Sequence, residues 1–130
     1  ILDDASSRAV WAAVRDADPL APEPGDAVWR VSTRPSAGPA VLAASAMRGF
    51  LDWGGGLVWL TGPATAEAHT RVERAAGAGQ WTLMRAPDAL RAAVRAVPDD
   101  PAPLARIGRR VKDAFDPKGI LNPGRVRAGQ

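Results

Sequence analysis

From Ala27 to Thr33 the chain alternates: Trp29 and Val31 project one way, while Val28, Arg30 and Ser32 project the other. That is the period of a strand with one buried face. Arg34-Pro35-Ser36 ends it, and Gly38-Pro39 opens a helix through Val41, Leu42 and Ser45 to about Met47, since proline is tolerated in a first helical turn. Phe50 to Leu60 reads as a hairpin, with Leu51 and Trp53 on one side, a turn at Gly54-Gly55-Gly56 and a return along Leu57-Val58-Trp59-Leu60. Thr65 then caps a helix that turns Ala68, Val72 and Ala75 or Ala76 inward and sets a Glu67–Arg71 pair outward, until Gly77 and Gly79 stop it. Gln80 to Arg85 is a fourth strand with Trp81 and Leu83 on one side. Asp88 to Val97 is a short helix with Leu90, Val94 and Val97 inward.

The order from Ala27 is strand, helix, strand, strand, helix, strand. This predicts an α+β, ferredoxin-like βαββαβ unit, an antiparallel four-stranded sheet with its helices on one face. The strands are expected near residues 27–33, 49–54, 57–61 and 80–85, and the opposite face is expected to be more apolar than a solvated surface. Ahead of the unit, Asp3-Asp4-Ala5-Ser6 caps a helix to about Asp16, followed by an extended linker rich in proline. The chain divides accordingly into residues 1–26, an N-terminal helix and linker, residues 27–97, the ferredoxin-like domain, and residues 98–130, a final helix and tail.

In that last part Leu104, Ile107, Val111 and Phe115 recur at three- and four-residue steps and share a helical face, with Arg106, Arg109, Arg110 and Lys112 around the remainder. Pro117 stops the helix at Asp116. Two turn signals, Pro117-Lys118-Gly119 and Asn122-Pro123-Gly124, then bracket Ile120-Leu121. Such punctuation predicts a segment laid along a surface in one conformation, with Phe115 anchored to the core beside Val111 and Ile107.

Composition narrows the chemistry. With 130 residues the chain can bury one core without covalent staples. It has no cysteine and a single histidine, His69, so thiolate and histidine-cluster metal sites are not expected, and no Ser-His-Asp set can be argued. His69 is expected at the surface or half-buried. No apolar run is long enough to span a membrane. The net charge of +3 comes from basic residues interspersed with acids, which reads as a solvated surface rather than a nucleic-acid footprint. The chain opens at Ile1 without a signal peptide, and the expectation is a piece of a longer protein.

Three constellations could carry function. Gly54-Gly55-Gly56 leads into a strand pattern, whereas a phosphate cradle leads into a helix N-terminus, so a hairpin turn is the better reading; close backbone approach by a ligand or another domain is a third. Trp29, Trp53, Trp59 and Trp81 fall on strands and are core for the most part, although a sheet face presenting tryptophan could bind a flat ring. Arg30, Arg34 and Arg85 could meet Asp52 across neighbouring strands, either as surface ion pairs or as a carboxylate-binding set. Arg30, Trp53 and Arg85 are the substrate-binding candidates, and no catalytic residue is named.

Phe115-Asp116-Pro117-Lys118-Gly119-Ile120-Leu121-Asn122-Pro123-Gly124, following a basic amphipathic helix, resembles the C-terminal end of FAD-linked oxidases of the vanillyl-alcohol oxidase type. Val28-Trp29-Arg30-Val31-Ser32, Asp52-Trp53-Gly54-Gly55-Gly56-Leu57-Val58-Trp59 and Leu83-Met84-Arg85-Ala86-Pro87 agree in order, and the tryptophan-glycine stretch is similar to the second type of FAD-binding subunit in bacterial glycolate oxidases. The resemblance implies a cap domain and returning chain end from an FAD-dependent 2-hydroxy-acid oxidase. Its partners would be an N-terminal FAD-binding domain absent from this chain and other glycolate oxidase subunits. It implies FAD in the parent protein, none held by this chain alone, and Asn122 near the flavin. The implied location is cytoplasmic, with membrane association through partner subunits as an option. The other class of reading is a stand-alone ferredoxin-like binding module for a small ligand, nucleic acid or protein.

Overall fold

A computed structural model describes residues 2–123. Helix α1 (Asp4–Asp16) is capped by the Asp3 carboxylate, which accepts from the Ser6 amide at 2.7 Å. A short turn (Asp18–Leu20) leads to β1 (Asp26–Ser32), α2 (Gly38–Ser45), β2 (Arg48–Asp52), β3 (Leu57–Pro63), α3 (Ala66–Ala76), β4 (Gln80–Arg85), α4 (Asp88–Ala93) and α5 (Ala102–Phe115). The strands form one antiparallel sheet in the order β2-β3-β1-β4, which is the ferredoxin-like arrangement expected from the element order.

The alternation in β1 decides which face is filled. Ala27, Trp29 and Val31 are fully buried with Val58 and Leu60 of β3 and with Trp81 and Leu83 of β4. Val41 from α2 and Ala68, Val72 and Ala76 from α3 close over them, so both crossover helices lie on this face. Thr65 caps α3 as its position promised, its hydroxyl accepting from the Ala68 amide at 3.1 Å.

Several expectations are corrected. α4 ends at Ala93, short of Val97, because the chain turns extended at Val94 and brings the Ala96 carbonyl to the Leu83 amide at 2.7 Å. An otherwise bare donor on the outer edge of the sheet is thereby satisfied. Trp53 is not on a strand: it starts a tight turn (Trp53–Gly55) at φ +53, with the Asp52 carboxylate accepting from its amide at 2.7 Å. The close approach expected of the glycines is made by the protein itself. A Cβ on Gly55 would lie 2.4 Å from the Pro35 carbonyl oxygen, and one on Gly38 would lie 2.1 Å from the Gly55 oxygen. Phe115 does not join the core. It is 81% exposed, and Leu104, Ile107 and Val111 are exposed with it.

Candidate functional site

The sheet face opposite α2 and α3 is built from the alternate positions. Register sets Phe50 of β2, Trp59 of β3, Arg30 of β1 and Thr82 of β4 side by side in one row across the sheet. Phe50, Trp59 and Arg30 are half-buried rather than sealed. The Arg30 guanidinium sits over the Trp53 ring, 5.3 Å from its centroid, and that ring is 63% exposed. A cation over an exposed indole contributes about 0.5–1 kcal/mol, enough to bias the orientation of both side chains. Two of the expected ligand-binding residues, Arg30 and Trp53, are therefore brought together.

Arg85 stands elsewhere on the same face. A bulge between Val28 and Trp29 shifts the register so that Arg85 faces Val28. It lines a cleft of about 450 Å³ with Leu20, Val28, Trp59 and Met84. The Asp18–Leu20 turn covers part of this face with Leu20, which is buried, so the open face, which mixes Phe50, Trp59, Val28 and Leu57 with Arg30, Arg48, Thr82 and Arg85, is partly screened by the chain's own N-terminal segment. Arg48 holds that segment, donating to the Ala21 carbonyl at 3.2 Å and pairing with Asp26 at 3.0 Å. Asp52 caps the Trp53 amide and forms no ion pair with Arg30, Arg34 or Arg85, so the expected carboxylate–arginine meeting does not occur. Arg34 belongs to a different cleft, between α2 and α3.

The end of α5 is the second constructed feature, and its organiser is a residue the pattern did not single out. The Asp116 side chain is buried. Its carboxylate accepts from the Ile120 and Leu121 amides, each at 2.9 Å, and from Lys112 Nζ at 2.6 Å. Lys112 donates also to the Leu121 carbonyl at 2.8 Å. The Lys112 hydrogen bond, followed by the two amides, holds the carboxyl well below the usual range, at about 2. Gly119 supplies φ +62 at the bend. The turn is closed on itself and presents Ile120, Leu121 and Asn122 outward, all exposed, with Asn122 at φ +48. Gly124 and Arg125, which the sequence placed in the same segment, lie outside the described residues. The legible signal for Asp116 was an Asp before Pro-x-Gly with a lysine one helical turn earlier.

His69 is a correction. It is only 2% exposed, its Nδ1 accepts from Trp29 Nε1 at 3.1 Å, and it meets the Trp81 ring edge-on at 4.9 Å. That hydrogen bond places its proton on Nε2, which points toward Glu73 at 3.6 Å without a hydrogen bond. Burial lowers its pKa, Glu73 opposing. It is a packed core histidine. Its position on the Ala68–Val72–Ala76 side of α3 was the signal available.

Among the described residues no cluster of three or more His, Cys, Asp or Glu could hold a metal ion, and no helix is long and apolar enough to cross a membrane. The Gly54–Gly56 backbone enters β3 and not a helix, so it does not form the helix-terminus cradle that binds a pyrophosphate.

Residues 101–126, which include α5 and the Asp116 turn, match the family described as FAD linked oxidases, C-terminal domain. Over 101 residues the chain is 36% identical to the glycolate oxidase subunit GlcE of Escherichia coli (strain K12), a match that takes in 78% of this chain and 26% of GlcE. The chain thus spans about a quarter of the length of the curated relative it matches. No solved structure matches it. The Asp116 turn thus lies within the stretch that is similar to the C-terminal domain of FAD linked oxidases, and most of the chain is similar to part of a glycolate oxidase subunit.

Proposed function

We propose that this chain is the cap and returning end of an FAD-dependent 2-hydroxy-acid oxidase subunit of the glycolate oxidase type, covering the flavin with its helix-free sheet face. The observation that carries the reading is the row Phe50, Trp59 and Arg30 with Trp53 against Arg30, left without a helical layer of its own. A flat aromatic ring fits against such a surface, and Arg30 and Arg85 can bind a carboxylate. When bound, the flavin supplies the hydride acceptor. The residues of this chain orient the acid, exclude water and hold the ring; none of them is assigned a proton transfer.

The second support is α5. Its Leu104–Ile107–Val111–Phe115 stripe has no partner within the described residues, and the Asp116 turn beyond it projects Ile120 and Leu121 in the same uncovered state. We assign this surface to the FAD-binding domain that precedes the cap in the parent protein. Asn122 then hydrogen-bonds near the cofactor, and other glycolate oxidase subunits complete the assembly.

The test uses the protein that carries this chain together with its FAD-binding domain. Asn122→Ala is expected to weaken flavin retention or shift the flavin spectrum. Arg30→Ala is expected to raise KM for the 2-hydroxy acid with flavin content unchanged. Unaltered flavin content, spectrum and KM in both variants would overturn the assignment of this face and of the turn.

A further inference from the structure

The ends of α2 and α3 enclose a cleft of about 670 Å³ where β1 leaves the sheet and β4 enters it. Its walls are mostly alanine methyl groups, with Arg34 on one side and Arg74 on the other, and among the described residues no aspartate or glutamate lines it. Among the described residues Arg34 and Arg74, like Arg30, Arg85, Arg91, Arg106, Arg109 and Arg110, form no salt bridge, and of these Arg34 and Arg74 are the two that line this cleft. Arg74 lies in the last turn of α3, where one positive charge offsets the negative helix end. Arg34 brings a second positive charge from the β1–α2 connection, with no countercharge among the described residues. Ser32, Thr33 and Gln80 also line the cleft, where β1 ends and β4 begins.

We propose that this cleft binds a small organic anion. Its carboxylate or phosphate would lie between the Arg34 and Arg74 guanidinium groups, and its apolar body against Ala37, Ala40 and Ala75. Guanidinium forks match both oxyanions by paired hydrogen bonds, and the volume lies in the range of small-molecule sites. The site is separate from the flavin-facing surface: it lies between the crossover helices, at the end of the sheet.

Calorimetric titration of the 130-residue chain at low ionic strength, with inorganic phosphate and separately with succinate, tests it. Saturable binding of at least one probe is expected, weakened at least about ten-fold by Arg34→Gln and by Arg74→Gln, the loss expected for a charged hydrogen bond. The preferred probe tells a phosphorylated ligand from a carboxylated one. Arg71→Gln, on the same helix but paired with Glu67, should leave the affinity unchanged. Amide shifts of Thr33, Gly79 and Gln80 in the unaltered chain locate the probe without relying on any variant. No saturable binding of either probe, shifts elsewhere, or equal loss in Arg71→Gln would overturn the proposal.

Discussion

His69 illustrates how one buried side chain couples packing to pH. Its imidazole fills space between Trp29 and Trp81 and accepts the Trp29 indole hydrogen. Replacing it with alanine removes packing and leaves that indole N–H without a partner, at a combined cost of about 2–4 kcal/mol. Because burial lowers its folded pKa, the unfolded chain binds the proton more readily. The stability contributed by the neutral ring is therefore complete above the unfolded value of 6.5 and declines as pH falls below it toward the lower folded value. Denaturant unfolding followed by tryptophan fluorescence should show this decline below neutrality, and His69→Gln should flatten it. Asp116 titrates in a separate window. Its folded pKa is depressed from 3.8 to about 2, so what it contributes is complete above 3.8 and lost only as pH approaches 2. Protection of the Ile120 and Leu121 amides from hydrogen exchange should persist near pH 4 and vanish in Asp116→Ala at any pH.

At the scale of elements, the hairpin between β2 and β3 is held by contact between backbones. Gly55 has φ +97 and no room for a methyl beside Pro35, whereas Gly54 has φ +61 and open space around it. Gly54→Ala should cost about 1 kcal/mol through its dihedral alone, and Gly55→Ala about 2 kcal/mol more, because the Pro35–Ala37 turn must move. Thermal unfolding of the two variants checks the order, and equal midpoints would contradict this account of the turn. The strained Trp53 follows from the same geometry: the tight turn at Gly54–Gly55 starts one residue early and takes a bulky side chain into the left-handed region.

The whole molecule has one filled sheet face and, at its C-terminal end, a helix that buries nothing within the described residues. Ile107→Asp separates the two roles open to that helix. In this chain alone it should change stability by less than about 0.5 kcal/mol, because Ile107 is exposed. In a protein that also carries the FAD-binding domain it should loosen the domain contact, read as faster proteolysis and lower flavin content. This chain alone, mixed with FAD and desalted, should come through colourless. Retention of stoichiometric flavin would mean that this chain holds the cofactor itself.

Local patterning was enough for the fold because each cue acted within a few residues. The alternation of Trp29 and Val31, the Thr65 cap, the Pro117 stop and the glycine bend set four strands and their crossover helices close to where they are found. The amphipathic stripe of α5 was equally legible as a pattern. Its burial was not, because burial depends on a partner surface, and a stripe looks the same whether that surface belongs to this chain or to another. Arg30 and Trp53 were legible as candidates, but their contact needed a turn at Trp53, which the run of strand-like residues concealed. The pairing of Asp52 with arginine failed because a nearer backbone amide took its carboxylate. His69 and the Arg34–Arg74 cleft required three dimensions outright. Residues 29 and 69, or 34 and 74, are 40 positions apart in the chain, and only the closure of α2 and α3 over the sheet brings them to a common site.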